Sequence, residues 1–167
     1  MAEPVRTIAV LVANPALSSI LSMVLASVPS FRVRPFDSEL ALVTYMRLAP
    51  VDVVVTDFDS TSARADRVTR DLRADLSIPH HDYQVIALAS AVSPETKNLC
   101  IASGIDEVIV KPMSPKYLLE RVQSRLARRA AALAPRFARA AAPKRPDFSQ
   151  YSNVIPLWTR ERPLPTH

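Results

Sequence analysis

The stretch Asp52-Val53-Val54-Val55-Thr56-Asp57 decides the fold. Its three consecutive valines are β-branched and apolar on both faces of an extended chain, which predicts a short strand buried between two layers of helices. The strand ends on Asp57, and open parallel sheets place their ligand sites at the carboxyl ends of strands. Asp57 is therefore either a reactive carboxylate or a residue that caps the following loop.

Strand patterns alternate with helical patterns on both sides of this stretch. Apolar runs predict buried strands at Thr7–Val12, Tyr83–Ala89 and Val108–Val110. Phe31–Phe36 alternates apolar with basic residues, and Pro35 lacks a ladder donor, so we expect an edge strand there. Helices are predicted over residues 16–26, 38–48, 62–76 and 94–103, and from 115 onward. This order predicts a doubly wound, flavodoxin-like (βα)5 sandwich, with a five-stranded parallel sheet and an extended C-terminal helix.

The composition excludes several classes of site. One glycine among 167 residues rules out a glycine-rich phosphate loop or a dinucleotide fingerprint. The single cysteine, Cys100, excludes a disulfide framework and is interpreted as a helix packing residue. Asn14-Pro15 interrupts the apolar N-terminal run, and no other run approaches ~20 apolar residues. We therefore expect a cytoplasmic protein with no membrane partner.

The positive charge is concentrated in one segment. Residues 1–115 hold 10 basic and 13 acidic residues, whereas residues 116–145 hold 9 basic residues and 1 acidic residue. The predicted organisation is a body at 6–128, a basic Ala/Arg-rich helical extension at 129–142 and a Pro-rich disordered tail at 143–167.

Four features together resemble the receiver domain of two-component response regulators. They are the (βα)5 order, the Asp52 to Asp57 spacing around the third strand, Gly-Ile-Asp-Glu-Val-Ile-Val-Lys-Pro at 104–112, and Ser-Pro-Lys-Tyr-Leu-Leu at 114–119. The resemblance covers residues 6 to about 128. It implies that Asp57 is the phospho-acceptor and that Lys111 contacts a phosphoryl oxygen.

Other positions depart from the family's pattern. The acidic pair that holds Mg²⁺ falls on Val12 and Ala13, which have no ligating side chain. The switch hydroxyl falls on Ala89, with Ser90 one place later, and the switch aromatic falls on Val108. With so few charged ligands left, we expect weak Mg²⁺ binding at most and no bound cofactor.

Two interpretations of Asp57 and Lys111 stay open at this point. The pair is either a working phosphorylation site or a relic ion pair that holds two strand ends together. Asp59, two residues later, is interpreted as an ordinary loop residue.

The last helix carries four arginines beside an apolar stripe. Three interpretations compete for it: a solvated arginine face, a stripe that forms a homodimer, and a surface that attracts nucleic acid or an acidic partner. No helix-turn-helix fits in the ~35 residues that remain, so nucleic acid is the less favoured partner. The stripe is formed by Leu119, Val122, Leu126, Ala130 and Leu133, and the arginines are Arg121, Arg125, Arg128 and Arg129.

The tail contains one apolar cluster, at residues 151–158. Because a disordered segment rarely carries such a cluster without a surface to bind, we expect it to pack on the body or on a partner. The docking candidates are Ile155, Leu157 and Trp158.

The sequence thus predicts a stand-alone response regulator, or pseudo-receiver, which acts by protein–protein contact and is not an enzyme. The resemblance implies a histidine kinase or phosphotransfer protein and a downstream protein as partners. A regulator that uses the arginine-rich helix to associate with nucleic acid is the alternative.

Overall fold

The computed structural model describes residues 3–133 and 154–155. Five parallel strands alternate with five helices, so the predicted (βα)5 order is confirmed. The strands are β1 Arg6–Leu11, β2 Phe31–Phe36, β3 Val53–Asp57, β4 Gln84–Ala89 and β5 Glu107–Val110. The helices are α1 Pro15–Ala26, α2 Glu39–Leu48, α3 Ala65–Ala74, α4 Pro94–Ser103 and α5 Pro115–Leu133.

The sheet has the order β2-β1-β3-β4-β5, with a sixth strand, β6 (Val154–Ile155), beyond β5. β2 lies at one edge, as Pro35 predicts. β6 is antiparallel to β5 and was not predicted. β6 lies within residues 143–167, which were expected to be disordered. The rest of that stretch, including Leu157 and Trp158, lies outside the described residues. The part of the helical extension beyond residue 133 also lies outside them.

The three valines of β3 divide between the two faces of the sheet. Val54 packs in the core layer that contains α2, α3 and α4, while Val53 and Val55 pack in the layer that contains α1 and α5. All three are completely buried, as their β-branched run predicts. This arrangement fixes β3 at the centre of the domain and brings Asp57 to its carboxyl end.

Three of the helices begin at residues whose side chains satisfy free backbone N–H groups. The side chains of Asn14, Ser38 and Ser93 accept hydrogen bonds from the first turns of α1, α2 and α4. Gly104 ends α4 with a φ of +88°, in the left-handed region that favours glycine. Cys100 is fully buried in α4, which confirms its prediction as a packing residue.

Three of the four arginines of α5 contradict the interpretation of a solvated face, whereas Arg128 is exposed. Arg121 and Arg125 bind the carboxylate of Glu107, whose side chain is 1% exposed. Arg129 binds Asp52 at 3.0 Å and also contacts Asp82. Glu107, Asp52 and Asp82 all lie at or near the amino ends of strands, so α5 is held along that edge of the sheet.

The first turns of the stripe do not support the homodimer interpretation, which stays a prediction for its exposed last residues, Ala130 and Leu133. Val122 and Leu126 pack in the core against the sheet and α1, so they cannot face a second molecule. Arg121 and Arg125 lie one residue before these positions, and therefore flank the buried face of the helix.

The high density of charged residues in the predicted helix at 62–76 is typical of a solvated face, but not all of the charged side chains of α3 are exposed. Asp66 is completely buried and binds the guanidinium of Arg64 through two hydrogen bonds of 2.6 and 2.8 Å. Arg73, at the other end of the helix, donates to the carbonyl of Gly104 and to Asp106. Charged side chains here connect α3 to its neighbours.

Within the described residues, no helix is long and apolar enough to span a membrane.

Candidate functional site

Asp57 lies where β3 ends, at the carboxyl edge of the parallel sheet. Its side chain is 8% exposed. The backbone N–H of Asp59 donates to Asp57 Oδ1 at 2.9 Å, which closes a turn directly after the strand. The backbone N–H of Phe58 donates to Leu88 O at 2.7 Å, so this turn is also attached to β4. The carboxylate is therefore held in a fixed position.

Lys111 approaches Asp57 from the end of β5. Its backbone N–H donates to Ala89 O at 2.8 Å, which fixes the start of its side chain beside β4. The Nζ atom lies 3.0 Å from Asp57 Oδ1 and 3.2 Å from Oδ2. The predicted association of Asp57 with Lys111 is thus present as a direct ion pair.

Asp59 completes the site, although the sequence interpretation made it an ordinary loop residue. Its Oδ2 atom lies 2.9 Å from Lys111 Nζ and accepts hydrogen bonds from Ser90 Oγ at 2.6 Å and Ser90 N at 2.7 Å. One carboxylate oxygen therefore takes three donors from two strand ends. Asp59 was missed because a loop residue's direction depends on the turn around it, and no periodicity reports that direction.

Of the three candidate switch positions, two are buried in the core and one lies at the edge of the sheet. Ala89 and Val108 are completely buried core residues, while Ser90 lies at the edge with its hydroxyl bonded to Asp59. The hydroxyl at this edge is thus supplied by the later of the two candidate residues. Its partner is a carboxylate of the same chain.

Two hydrocarbon side chains occupy the neighbouring end of β1. Leu11 is the register partner of Thr56, so Val12 follows β1 beside the end of β3. Val12 is 4% exposed and Ala13 is exposed, and neither has an oxygen that could bind a cation. Within the described residues, no group of three or more His, Cys, Asp or Glu side chains could hold a metal ion.

The charges at the site support one another. Burial alone raises the pKa of Asp59, but hydrogen bonds from Ser90 and Lys111 outweigh it and hold that pKa below its ordinary value of 3.8. Burial alone lowers the pKa of Lys111, but its bonds to Asp59 and Asp57 raise it above its ordinary value of 10.5. The lysine therefore stays charged between its two carboxylates.

We expect Asp59→Asn to make the domain's stability less sensitive to acid. The folded pKa of Asp59 lies below 3.8, so the unfolded chain takes up the proton first as the pH falls. The stability that ionised Asp59 contributes to the folded domain is complete above the unfolded pKa and is lost as the pH falls through the folded pKa. Because the side chain is 38% exposed, solvent screens part of the effect.

Thermal unfolding between about pH 6 and 3 measures this acid sensitivity. The wild type should lose stability most steeply, Ser90→Ala less so, and Asp59→Asn least. Equal slopes for the wild type and Asp59→Asn would contradict the assignment of these bonds to the folded carboxylate.

Comparisons with known proteins agree with this fold. The chain is 31% identical over 115 residues to the DNA-binding response regulator MtrA of Mycolicibacterium smegmatis, covering 69% of this chain and 48% of that protein. MtrA of Mycolicibacterium paratuberculosis is 34% identical over 92 residues, which are 55% of this chain and 38% of that protein. The chain thus spans about half the length of these relatives or less.

Solved structures show the same architecture. The BeF3-activated DrrB receiver domain matches with a TM-score of 0.63 and 22% identity, covering 74% of this chain and 98% of that chain. A CheY-like receiver domain protein from Methanospirillum hungatei matches with a TM-score of 0.67 and 14% identity, covering 77% and 98%.

No family model matches the chain. The solved receiver domains nevertheless share the fold of this chain over nearly their whole length. The body of this chain therefore has the CheY-like fold of receiver domains, and its sequence is similar to those of DNA-binding response regulators.

Proposed function

We propose that the chain acts in two-component signalling as a receiver domain that works by protein–protein contact, and that Asp57 is not phosphorylated efficiently by the usual Mg²⁺-dependent route. The observation that carries the proposal is Lys111 Nζ held between Asp57 and Asp59, beside an edge where Val12 and Ala13 replace the acidic pair. The chain then has no catalytic output of its own.

The donor set does not fit a magnesium ion. Mg²⁺ requires oxygen ligands in a near-octahedral arrangement, and two side chains at this edge are hydrocarbon. The remaining carboxylates, Asp57 and Asp59, are already neutralised in part by Lys111. An incoming phosphoryl group would meet two carboxylates and one ammonium, a net charge of −1, with no second cation to screen the repulsion.

Asp59 also satisfies the donors that an external anion would need. The resemblance to receiver domains implies that the lysine and the switch hydroxyl contact the phosphoryl group. Here Lys111 Nζ, Ser90 Oγ and Ser90 N all bind Asp59 Oδ2. We infer that this internal carboxylate keeps the edge in one arrangement, so that a downstream protein partner binds without phosphorylation.

The partners follow from this proposal. A histidine kinase or a phosphotransfer protein docks on the domain in the cytoplasm, and Asp57 gives it a poor acceptor. Three of the four arginines of α5, Arg121, Arg125 and Arg129, are bound to carboxylates and so do not favour the nucleic-acid alternative.

Incubation with a small phosphodonor such as acetyl phosphate and Mg²⁺ tests the proposal. We expect the mass of the intact chain to show little or no added phosphoryl group under conditions that phosphorylate a receiver domain with the acidic pair. Asp57→Asn is the control, since any phosphorylation it retains lies elsewhere. Stoichiometric phosphorylation that Asp57→Asn abolishes would overturn the proposal.

A further inference from the structure

The outer edge of β5 binds a strand from a distant part of the same chain. β5 pairs with β4 on its inner side, in parallel. On its outer side it pairs with Val154–Ile155 in antiparallel orientation, with Val108 opposite Ile155 and Ile109 opposite Val154. Without β6, this edge would present unpaired backbone groups, which are a template for any other extended chain.

The direction of the backbone N–H groups of β5 shows which of them face β6. Lys111 N donates to Ala89 O, so the amide of residue 111 points toward β4. Successive amides of a strand point to opposite sides. The N–H of Ile109 therefore points toward β4, and the N–H of Val108 points outward to its register partner Ile155.

We propose that the outer edge of β5 is a strand-docking site whose occupant is the Val154–Ile155 segment of the same chain. By occupying the edge, this segment prevents β5 from pairing with an extended segment of another molecule. The proposal does not depend on the state of Asp57, which lies two strands away in the sheet.

The sequence of the segment fits this role. Val154 and Ile155 are β-branched, and Pro156 directly after them has no N–H to continue a ladder, so the added strand ends there. The 20 residues between Leu133 and Val154 can span about 66 Å when extended. α5 has 19 residues and a length of about 28 Å, so the chain can return along it to β5.

The edge is also a surface on which a partner strand would find apolar neighbours. Val108 packs in the core layer of α2, α3 and α4, whereas Ile109 packs in the layer of α1 and α5. β5 therefore contacts both helix layers, one on each face of the sheet. An extended segment with alternating apolar residues is the kind of partner that strand addition selects.

Amide hydrogen exchange in the full chain tests the proposal residue by residue. In the double variant Val154→Pro/Ile155→Pro, the protection of the Val108 amide should fall by about tenfold or more. The Ile109 amide is an internal control, because its bond to β4 remains. Thr166→Pro adds a proline to the same tail away from the strand and should leave both amides unchanged.

Two further measurements identify the occupant. A peptide of residues 151–158 added to the double proline variant should restore protection at Val108. Protection in the wild type should not depend on protein concentration, and light scattering should give a monomer mass. Unchanged Val108 protection in the proline variant would overturn the proposal, and so would protection that rises with concentration together with a dimer mass, since a second copy would then be the occupant.

Discussion

Placing aspartates at both Val12 and Ala13 should raise the rate of acyl phosphate formation on Asp57 by about 10²–10³. The two carboxylates would lie at the end of β1, beside Asp57 and close to the sheet edge that carries Lys111. Together with Asp57 they would supply the oxygen ligands that Mg²⁺ needs, and the ion would screen the repulsion between Asp57 and the phosphodonor. Intact mass measured over time with acetyl phosphate and Mg²⁺ gives the rate.

The matched control is Val12→Asn/Ala13→Asn, which has the same size and polarity but no charge. Ala13→Asp alone is a second test. Ala13 is exposed, whereas Val12 is buried, so placing a charge at Val12 costs stability. Circular dichroism confirms that each variant is folded. A folded double-aspartate variant that binds Mg²⁺ but reacts no faster than the asparagine control would show that the missing acidic pair does not limit the reaction.

Replacing Glu107 with Gln should destabilise the domain by about 3–5 kcal/mol. The carboxylate is 1% exposed and binds two guanidinium groups whose side chains are 8% and 16% exposed, those of Arg121 and Arg125. The amide of Gln cannot balance their charge, so both would stay buried without a counterion. Urea unfolding monitored by circular dichroism measures the change in the free energy of unfolding.

Glu120→Gln is the control for this prediction. Glu120 belongs to the same helix and is exposed, so its replacement should change the stability by no more than about 0.5 kcal/mol. A loss of less than about 1 kcal/mol in Glu107→Gln would contradict the ion-pair account of how α5 is held.

Much of the fold and half of the site follow from local patterns. The β-branched run at 53–55 predicts a buried strand because both faces of β3 are covered. Asp57 and Lys111 are predictable together because the carboxyl ends of parallel strands meet at one edge, whichever part of the chain they come from.

The rest depends on contacts between distant parts of the chain. Asp59 joins the site through a turn whose direction no periodicity encodes, and β6 has only two residues, too few to show an alternating pattern. Arg121 and Arg125 looked solvated because their partner, Glu107, lies on another element. A flanking arginine is buried only when the opposing element supplies a carboxylate, and the helix's own sequence does not contain that information.

The anchoring of α5 determines where the following chain leaves the domain. The helix starts just after Lys111, at the edge that holds Asp57, and Arg129 near its other end binds Asp52 at the amino end of β3. Sliding or rotating α5 would break its contacts with Glu107, Asp52 and Asp82 together. These contacts therefore fix the position of Leu133, where the helix ends. Leu133 lies on the opposite side of the domain from Asp57, about 28 Å along the helix axis from its start. A module joined after Leu133 would therefore take its starting position and direction from the ion pairs that hold α5.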